Sequence, residues 1–466
     1  MKPYQSVTEA DLAFFREVMP GRVFAGEEIS SDYDHDEMTE YGHFMPEAVL
    51  QAGSAEEISR VLAYCNERRI PVTPRGAGTG LCGGCVPVFG GIVLSTERMK
   101  RVIEVDTRNM TATVEPGVLL MEFPQALAGT GLFYPPDPGE KTATMGGNAM
   151  TNAGGMRAVR YGVTRDYVLG MEIVLADGSI LQLGGKNVKT SSGYSLIDLM
   201  IGSEGTLGFL TKLTVKLIAE PKMNLSLLVP FDDLDSCIGA VPQVLGCGCD
   251  PTAVEFMERE VITCAETYLG KAFPDTEANA YLLIRLDGES TETLKPAMDR
   301  LTDLLLSLGA KDVLLADTDE RKESIWNARG AFLEAIKNST TAMDECDVVV
   351  PRDLIPDFVR RMLTIAREEE IRIRSFGHAG DGNLHIYVCR DDLDGKAWKE
   401  KVASVMEKLY TAARELKGEV SGEHGIGHAK REFLRESVGE KQMELMRGIK
   451  RVFDPNGILN PGKVCG

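Results

Sequence analysis

Three glycine-rich stretches constrain this chain more than any other feature: Arg75-Gly-Ala-Gly-Thr-Gly-Leu-Cys-Gly-Gly84, Thr144-Met-Gly-Gly-Asn148 running on through Asn152-Ala-Gly-Gly155, and Gly202-Ser-Glu-Gly-Thr-Leu-Gly208. Glycines let successive backbone N–H groups converge on an anion without side-chain obstruction. The first stretch follows IPVTP, which reads as a short strand, so it reads in turn as a pyrophosphate cradle. The other two suggest further backbone walls around the same ligand. Gly78-x-Gly80-x-x-Gly83 matches the dinucleotide fingerprint literally, but that motif must open a helix, and here Pro87 and GGIVLS follow. No Gly-Lys-Ser/Thr is present, which excludes a Walker loop.

Around these loops the chain alternates patterns. Ile58, Val61, Leu62 and Cys65 recur at helical spacing before the first loop. IVLST, VIEVD and TATVEPG then read as short strands of a mixed sheet, and MEIVLADGSIL and GFLTKLTVKLIAEP as further strands. A first domain, residues 1–220, would end there. Residues 221–417 read as an α+β insert, with helices around 291–308, 320–337, 354–369 and 396–416 between strands such as SLLVPF, AYLLIRL and the RIRSFGH…LHIYV pair. A final segment, 418–466, ends in a helix and FDPNGILNPGK. No internal repeat is visible.

Composition narrows the partners. At 466 residues, two or three domains are expected. A net charge of −19 disfavours nucleic acid and anionic membrane surfaces. No apolar run approaches the ~20 residues of a membrane helix, and no basic-then-apolar leader is seen, so a cytoplasmic protein without a membrane span is expected. The ten cysteines form no iron–sulfur spacing and are expected as free thiols. Cys82 and Cys85 make a CxxC that reads as a packed loop.

Four of the six histidines lie between positions 378 and 428. His378 ends one expected strand and His385 lies in the next, with Gly380-Asp-Gly-Asn383 as the turn, so both imidazoles can converge at the rim of a two-stranded unit. Glu423 and His424 follow in a glycine-flanked loop. Two imidazoles and a carboxylate suit Zn²⁺, Fe²⁺ or Mn²⁺ with open positions left over. From spacing alone, separate hydrogen-bonded histidines in a polar loop serve equally well. Arg329, in Trp326-Asn-Ala-Arg, could grip a carboxylate with its guanidinium fork, or could be a solvated helix residue.

Taken in order, PRGAGTGL, PPDPG, TMGGN, NAGG, YG, GSEGTLG, GHAGDGNLH, GEHGIG and the terminal NPGK resemble the vanillyl-alcohol oxidase (PCMH) type of flavoprotein, in its D-lactate, glycolate and D-2-hydroxyglutarate dehydrogenase branch. The resemblance covers nearly the whole chain. It implies an α+β protein: a two-part FAD-binding domain from residues 1–220 and the C-terminal segment, with a substrate cap on an antiparallel sheet. Flavin-binding positions implied are Arg75, Gly76, Ala77, Gly78, Thr79, Gly80 and Leu81 in the first loop. Pro138, Gly146, Gly147, Asn148, Asn152, Gly154, Gly155, Tyr161 and Gly162 follow, then Glu204, Gly208 and Asn460. FAD is expected to be non-covalent, because His35, His43, His378, His385, His424 and His428 all lie outside the loops where relatives attach it.

By the same resemblance, His378, His385 and Glu423 are metal ligands. His424 is the base that takes the hydroxyl proton as the α-hydrogen leaves as hydride to the flavin, and Arg329 holds the substrate carboxylate. His428 is left as a loop residue. Glu345 stands where the 2-hydroxyglutarate branch has a lysine, and Tyr387 where it has an asparagine, which points to D-lactate first and glycolate next. With no second redox centre, electrons would pass to a partner such as an electron-transferring flavoprotein. The rival readings are a flavin-holding subunit of a larger oxidase complex and a transferase like alkyl-glycerone-phosphate synthase.

Overall fold

The structure, a computed structural model, describes residues 4–466. The chain forms two compact units: one takes the chain through Ala153, Val163–Glu220 and Glu423–Gly466, the other Gly154–Gly162 and Pro221–Gly422.

In the first unit, strands Ala48–Gln51, Ile92–Ser95 and Val72–Arg75 run parallel. Parallel strands in one sheet need a crossover: helix Ala55–Arg68 carries the chain from Ala48–Gln51 to Val72–Arg75, and the first glycine loop carries it back to Ile92–Ser95, which lies between them. Ser54 caps that helix by accepting the Glu57 amide hydrogen, Arg69 ends it in a left-handed conformation, and Ile58, Val61, Leu62 and Cys65 are buried. The C-terminal segment joins this layer: Leu459 bridges Val72 in parallel, and Ile458 and Leu459 belong to the same core. A second, five-stranded sheet is wholly antiparallel, in the order Val102–Asp106, Thr111–Val114, Phe209–Lys216, Val168–Val174, Ile180–Gly184.

The second unit is built on a seven-stranded antiparallel sheet, ordered Leu314–Ala316, Met223–Phe231, Ala280–Gly288, Ala253–Glu258, Arg372–His378, Asn383–Cys389, Met343–Val349. Helices Thr291–Ser307, Ile355–Glu368 and Gly395–Glu415 fall within two residues of the spans read from periodicity. The helix expected over 320–337 is broken into Asp319–Gly330 and Phe332–Asn338.

The units divide the chain differently from its linear reading. Gly154–Gly162 groups with the sheet unit: Arg160 donates to Thr252 Oγ1 at 3.2 Å and to the Asp287 carbonyl at 3.0 Å, and the Tyr161 hydroxyl donates to Asp287 Oδ2 at 3.0 Å. Residues 418–422 stay with that unit as well, because Glu419 bridges Val349. No helix among the described residues is long and apolar enough to cross a membrane.

Candidate active site

The first glycine loop leaves strand Val72–Arg75 and bends at Gly78, whose φ is 82°. A Cβ at Gly78 would lie 2.1 Å from the Arg75 guanidinium, and one at Gly76 would lie 2.6 Å from Thr144 Oγ1, so both positions require glycine. Arg75 itself is turned to the N-terminal side: it donates to the carbonyls of His35 (2.8 Å) and Asp32 (2.6 Å). His35 and His43 both place Nδ1 on Asp34 Oδ1, at 2.6 and 2.8 Å. The loop's far side is held by Glu37, whose amide donates to the Gly80 carbonyl; Ala77, Thr79 and Leu81 lie along the same irregular loop.

Thr144 caps helix Met145–Thr151, accepting the Gly147 amide, and Gly146 packs so closely on Pro116 that a Cβ would lie 2.5 Å from it. Asn152 ends that helix in a left-handed conformation and accepts the Arg165 amide at 3.0 Å. The third loop is stitched to this helix by Gly202 and Glu204, which donate to the carbonyls of Ala149 and Met150. Gly208 is equally tight, with a Cβ position 2.4 Å from Ile173. Asn460 ties three pieces together, donating from Nδ2 to the carbonyls of Gly84 (2.8 Å) and Glu204 (2.7 Å) and from its amide to Val72. Pro138 is buried, and its carbonyl accepts from Lys141.

The Glu423-His424-Gly-Ile-Gly loop belongs to this unit and is organised by Glu204, whose carboxylate accepts the amides of Ile426 and Gly427. Burial pushes the Glu204 carboxyl up; those two amides, then Lys463 and Lys430, pull it back without cancelling the effect. Lys463 is in turn pushed down to about 8 by burial. His428, packed against Gly83, is pushed down to about 4, first by burial and then by Lys463 and Arg431.

In the sheet unit, direct cross-strand pairing puts Met257, Phe376, His385 and Asp347 on one face. The two-residue period of a strand adds Glu255, His378, Tyr387 and Glu345 to it. Helix Asp319–Gly330 reaches the same face: Trp326 donates to Ser226 at 2.9 Å, and Arg329 donates from Nε (2.9 Å) and Nη2 (2.6 Å) to Glu255 Oε2. His378 Nδ1 lies 2.7 Å from Glu255 Oε1, and the His378 and His385 rings stand 5.0 Å apart at 90°. Asp347 lies 3.8 Å from His385 Nδ1 and accepts from Asn383, Ser421 and the amide of Gly422. Gly422 is the residue before Glu423. Burial would raise the Glu255 carboxyl, but its interactions with His378 and Arg329 outweigh it and hold it below the usual carboxylate range.

The chain matches the family described as "FAD linked oxidases, C-terminal domain" over residues 220–464, and the "FAD binding domain" over 46–184. The first of these spans more than half of the sequence. The chain belongs to the FAD-linked oxidase family. It is 50% identical over 467 residues to the D-lactate dehydrogenase of Anaerostipes hadrus, covering 99% of this chain and 98% of that one. With the glycolate oxidase subunit GlcD of Bacillus subtilis it shares 40% identity over 435 residues, 93% of this chain and 91% of that one. Its fold is that of p-cresol methylhydroxylase, whose substrate-bound crystal structure superposes with a TM-score of 0.81 over 99% of this chain and 98% of that one at 18% identity.

As a member of this family the chain is an FAD-dependent D-lactate/glycolate-type dehydrogenase, and its loops fit the cofactor. Asn148 Nδ2 and Ser203 Oγ, on the two segments that hydrogen-bond to each other, are buried without a protein partner, a costly state that a polar ligand relieves. Of the positions singled out from sequence in the FAD-linked oxidase, Gly154, Gly155, Tyr161 and Gly162 belong to the sheet unit rather than the glycine-loop unit. Arg329 is buried against Glu255 and lies 4.5 Å over the Phe376 ring, so it is not a solvated helix residue. Glu255 and Asp347 escaped notice. The signal for Glu255 was a lone acid inside the apolar run AVEFM; Asp347 stands in the acid-rich strand MDECDVV, where nothing local singles it out.

Proposed function

We propose that this chain oxidises a small D-2-hydroxy acid, D-lactate first and glycolate second, to the 2-oxo acid. The carrying observation is the polar cluster on one face of a buried sheet, where Arg329, Glu255, His378, His385 and Asp347 meet among apolar neighbours. Structural cores rarely gather so many ionisable groups, and functional sites do. FAD, held non-covalently by the glycine loops, supplies the two-electron acceptor when bound.

His378, His385 and Glu423 are proposed as ligands of a divalent ion, Zn²⁺, Fe²⁺ or Mn²⁺. Supporting this, the Glu255 carboxylate fixes the proton of His378 on Nδ1 and so leaves Nε2 with the lone pair, the arrangement usual behind a metal-bound imidazole. Gly422, anchored to Asp347, leads directly into Glu423. His424 takes the substrate's hydroxyl proton, and Arg329 presents the Nη1 edge of its fork to the substrate carboxylate while Glu255 occupies Nε and Nη2. The carboxylate of Glu345, buried beside Tyr387 on this face, disfavours a second acid group on the substrate. Electrons leave to a separate redox partner, an electron-transferring flavoprotein by preference.

Anaerobic titration of flavin absorbance with D-lactate, L-lactate, glycolate and D-2-hydroxyglutarate tests the reading. Bleaching is expected with D-lactate at the lowest concentration, then glycolate. Preferential bleaching by L-lactate or by the diacid would overturn it. A relative named as a glycolate oxidase subunit favours a second arrangement, in which the chain works inside a larger oxidase complex. Bleaching that appears only after other polypeptides are added would select it.

A further inference from the structure

We infer that Glu255 is a positioning residue that ties the substrate anchor to the metal-binding imidazole, an inference that rests on the reading just given. Glu255 sits inside strand Ala253–Glu258 with no exposed surface. Its one carboxylate serves two residues on different elements: Oε2 accepts Nε and Nη2 of Arg329 from helix Asp319–Gly330, and Oε1 lies 2.7 Å from Nδ1 of His378 at the end of strand Arg372–His378. A buried carboxylate with neither partner would be strongly disfavoured, and so would a buried guanidinium left alone. Each group therefore holds the other in place.

The consequence is geometric. A 2-hydroxy acid carries its carboxylate and its hydroxyl on adjacent carbons, so the group that grips the carboxylate and the ligand set that faces the hydroxyl must keep one fixed spacing. Errors near 1 Å are costly at a reacting centre, on the order of a hundred-fold in rate. Arg329 and His378 come from different elements, a helix and a strand, and the Glu255 carboxylate is hydrogen-bonded to both. Phe376 and Phe332 back the guanidinium, at 4.5 and 5.7 Å, and leave its rotation to be set by the carboxylate.

The test uses the full-length holoenzyme with Glu255→Gln and Glu255→Asp. Three quantities are read: FAD content, the dissociation constant for Mn²⁺ or Zn²⁺ added to metal-stripped protein, and the dissociation constant for oxamate, a non-reacting 2-oxo acid analogue followed through the flavin spectrum. In Glu255→Gln, metal affinity is expected to fall about 10–100-fold, as for other carboxylates behind a metal-bound histidine. Oxamate affinity falls with it, and FAD content is unchanged. Glu255→Asp keeps the charge and guards against misfolding; its shorter side chain cannot reach both partners, so both affinities still fall. A Glu255 that serves only the fold would give variants that melt earlier yet bind metal and oxamate as the wild type does, and that result overturns the inference. A fall in one affinity alone overturns it too, because the shared role requires both. Wild-type protein that binds neither metal nor oxamate overturns the reading beneath, and the inference with it.

Discussion

The carboxylate of Glu204 accepts the backbone N–H groups of both Ile426 and Gly427, at 2.7 and 2.8 Å, although some 220 residues separate them in sequence. This pair of bonds shapes the loop that carries Glu423 and His424. Glu204→Gln keeps the size of the side chain but replaces one acceptor with a donor facing an amide. It is expected to lower the unfolding free energy by about 1–3 kcal/mol. Hydrogen exchange at the Ile426 and Gly427 amides reports the change directly: both should exchange faster in the variant, and unaltered protection would refute the clamp.

Gly78→Ala forces a Cβ into a left-handed backbone position and against the Arg75 guanidinium. The strain is expected to cost about 1–3 kcal/mol and to displace Arg75 from its carbonyl partners. The ratio of FAD to protein after gel filtration should fall, while the same substitution at Gly129, where nothing lies within 4 Å of the Cβ position, leaves that ratio unchanged.

Asp347 accepts from Asn383, Ser421 and Gly422, so Asp347→Asn removes charge-assisted bonds that hold the end of the cap segment. A loss of about 1.5–3 kcal/mol per charged bond is the expected scale. Urea unfolding followed by far-UV circular dichroism measures it. A variant as stable as the wild type would show that these bonds merely replace water.

His428 gives a pH dependence whose sign follows from its environment. Its pKa in the folded protein, about 4, lies below the ordinary histidine value of roughly 6.5. Between those values the unfolded chain binds a proton that the folded chain does not, so stability from this group is complete at neutral pH and is lost as pH falls from about 6.5 toward 4. His428→Gln should flatten the acid side of the curve of melting temperature against pH. Parallel curves for the two proteins would contradict the assignment.

Electron transfer to an external partner should depend on salt. A net charge of −19 attracts basic surfaces, and this attraction is screened as ionic strength rises. Lactate oxidation coupled to an electron-transferring flavoprotein is expected to slow across a salt series, with NAD⁺ alone giving no turnover. Efficient NAD⁺ reduction by the chain alone would sink the proposal.

The parts legible in the sequence are those whose chemistry is local. The glycine loops announce themselves because left-handed turns and close backbone contacts demand glycine wherever the rest of the chain lies. The GHAGDGNLH turn was readable for the same reason, since the hairpin joining His378 to His385 is set by its own turn residues. Glu255 was not readable as a site residue, because its partners are fixed by pairing between strand Ala253–Glu258 and a strand more than a hundred residues later. The membership of Gly154–Gly162 escaped for a similar reason: a stretch inside an apparently continuous flavin domain is held by Thr252 and Asp287 of the other unit. The break near Gly330 in the expected long helix was hidden because the periodicity continues across it.

The bridge between Val72 and Leu459 joins residues that lie on either side of the whole sheet unit in sequence. When the ribosome has finished Glu220, the unit with the glycine loops still lacks Glu423–Gly466, and roughly 200 residues of the sheet unit come first. At bacterial or eukaryotic elongation rates of about 5–20 residues per second, that is a wait of about 10–40 seconds. Through that interval the Val72 edge and the pocket later filled by Ile458 and Leu459 are open, and Asn460 has not yet tied Gly84 to Glu204. Until Leu459 is made, the nascent chain therefore carries an exposed strand edge for a chaperone to guard.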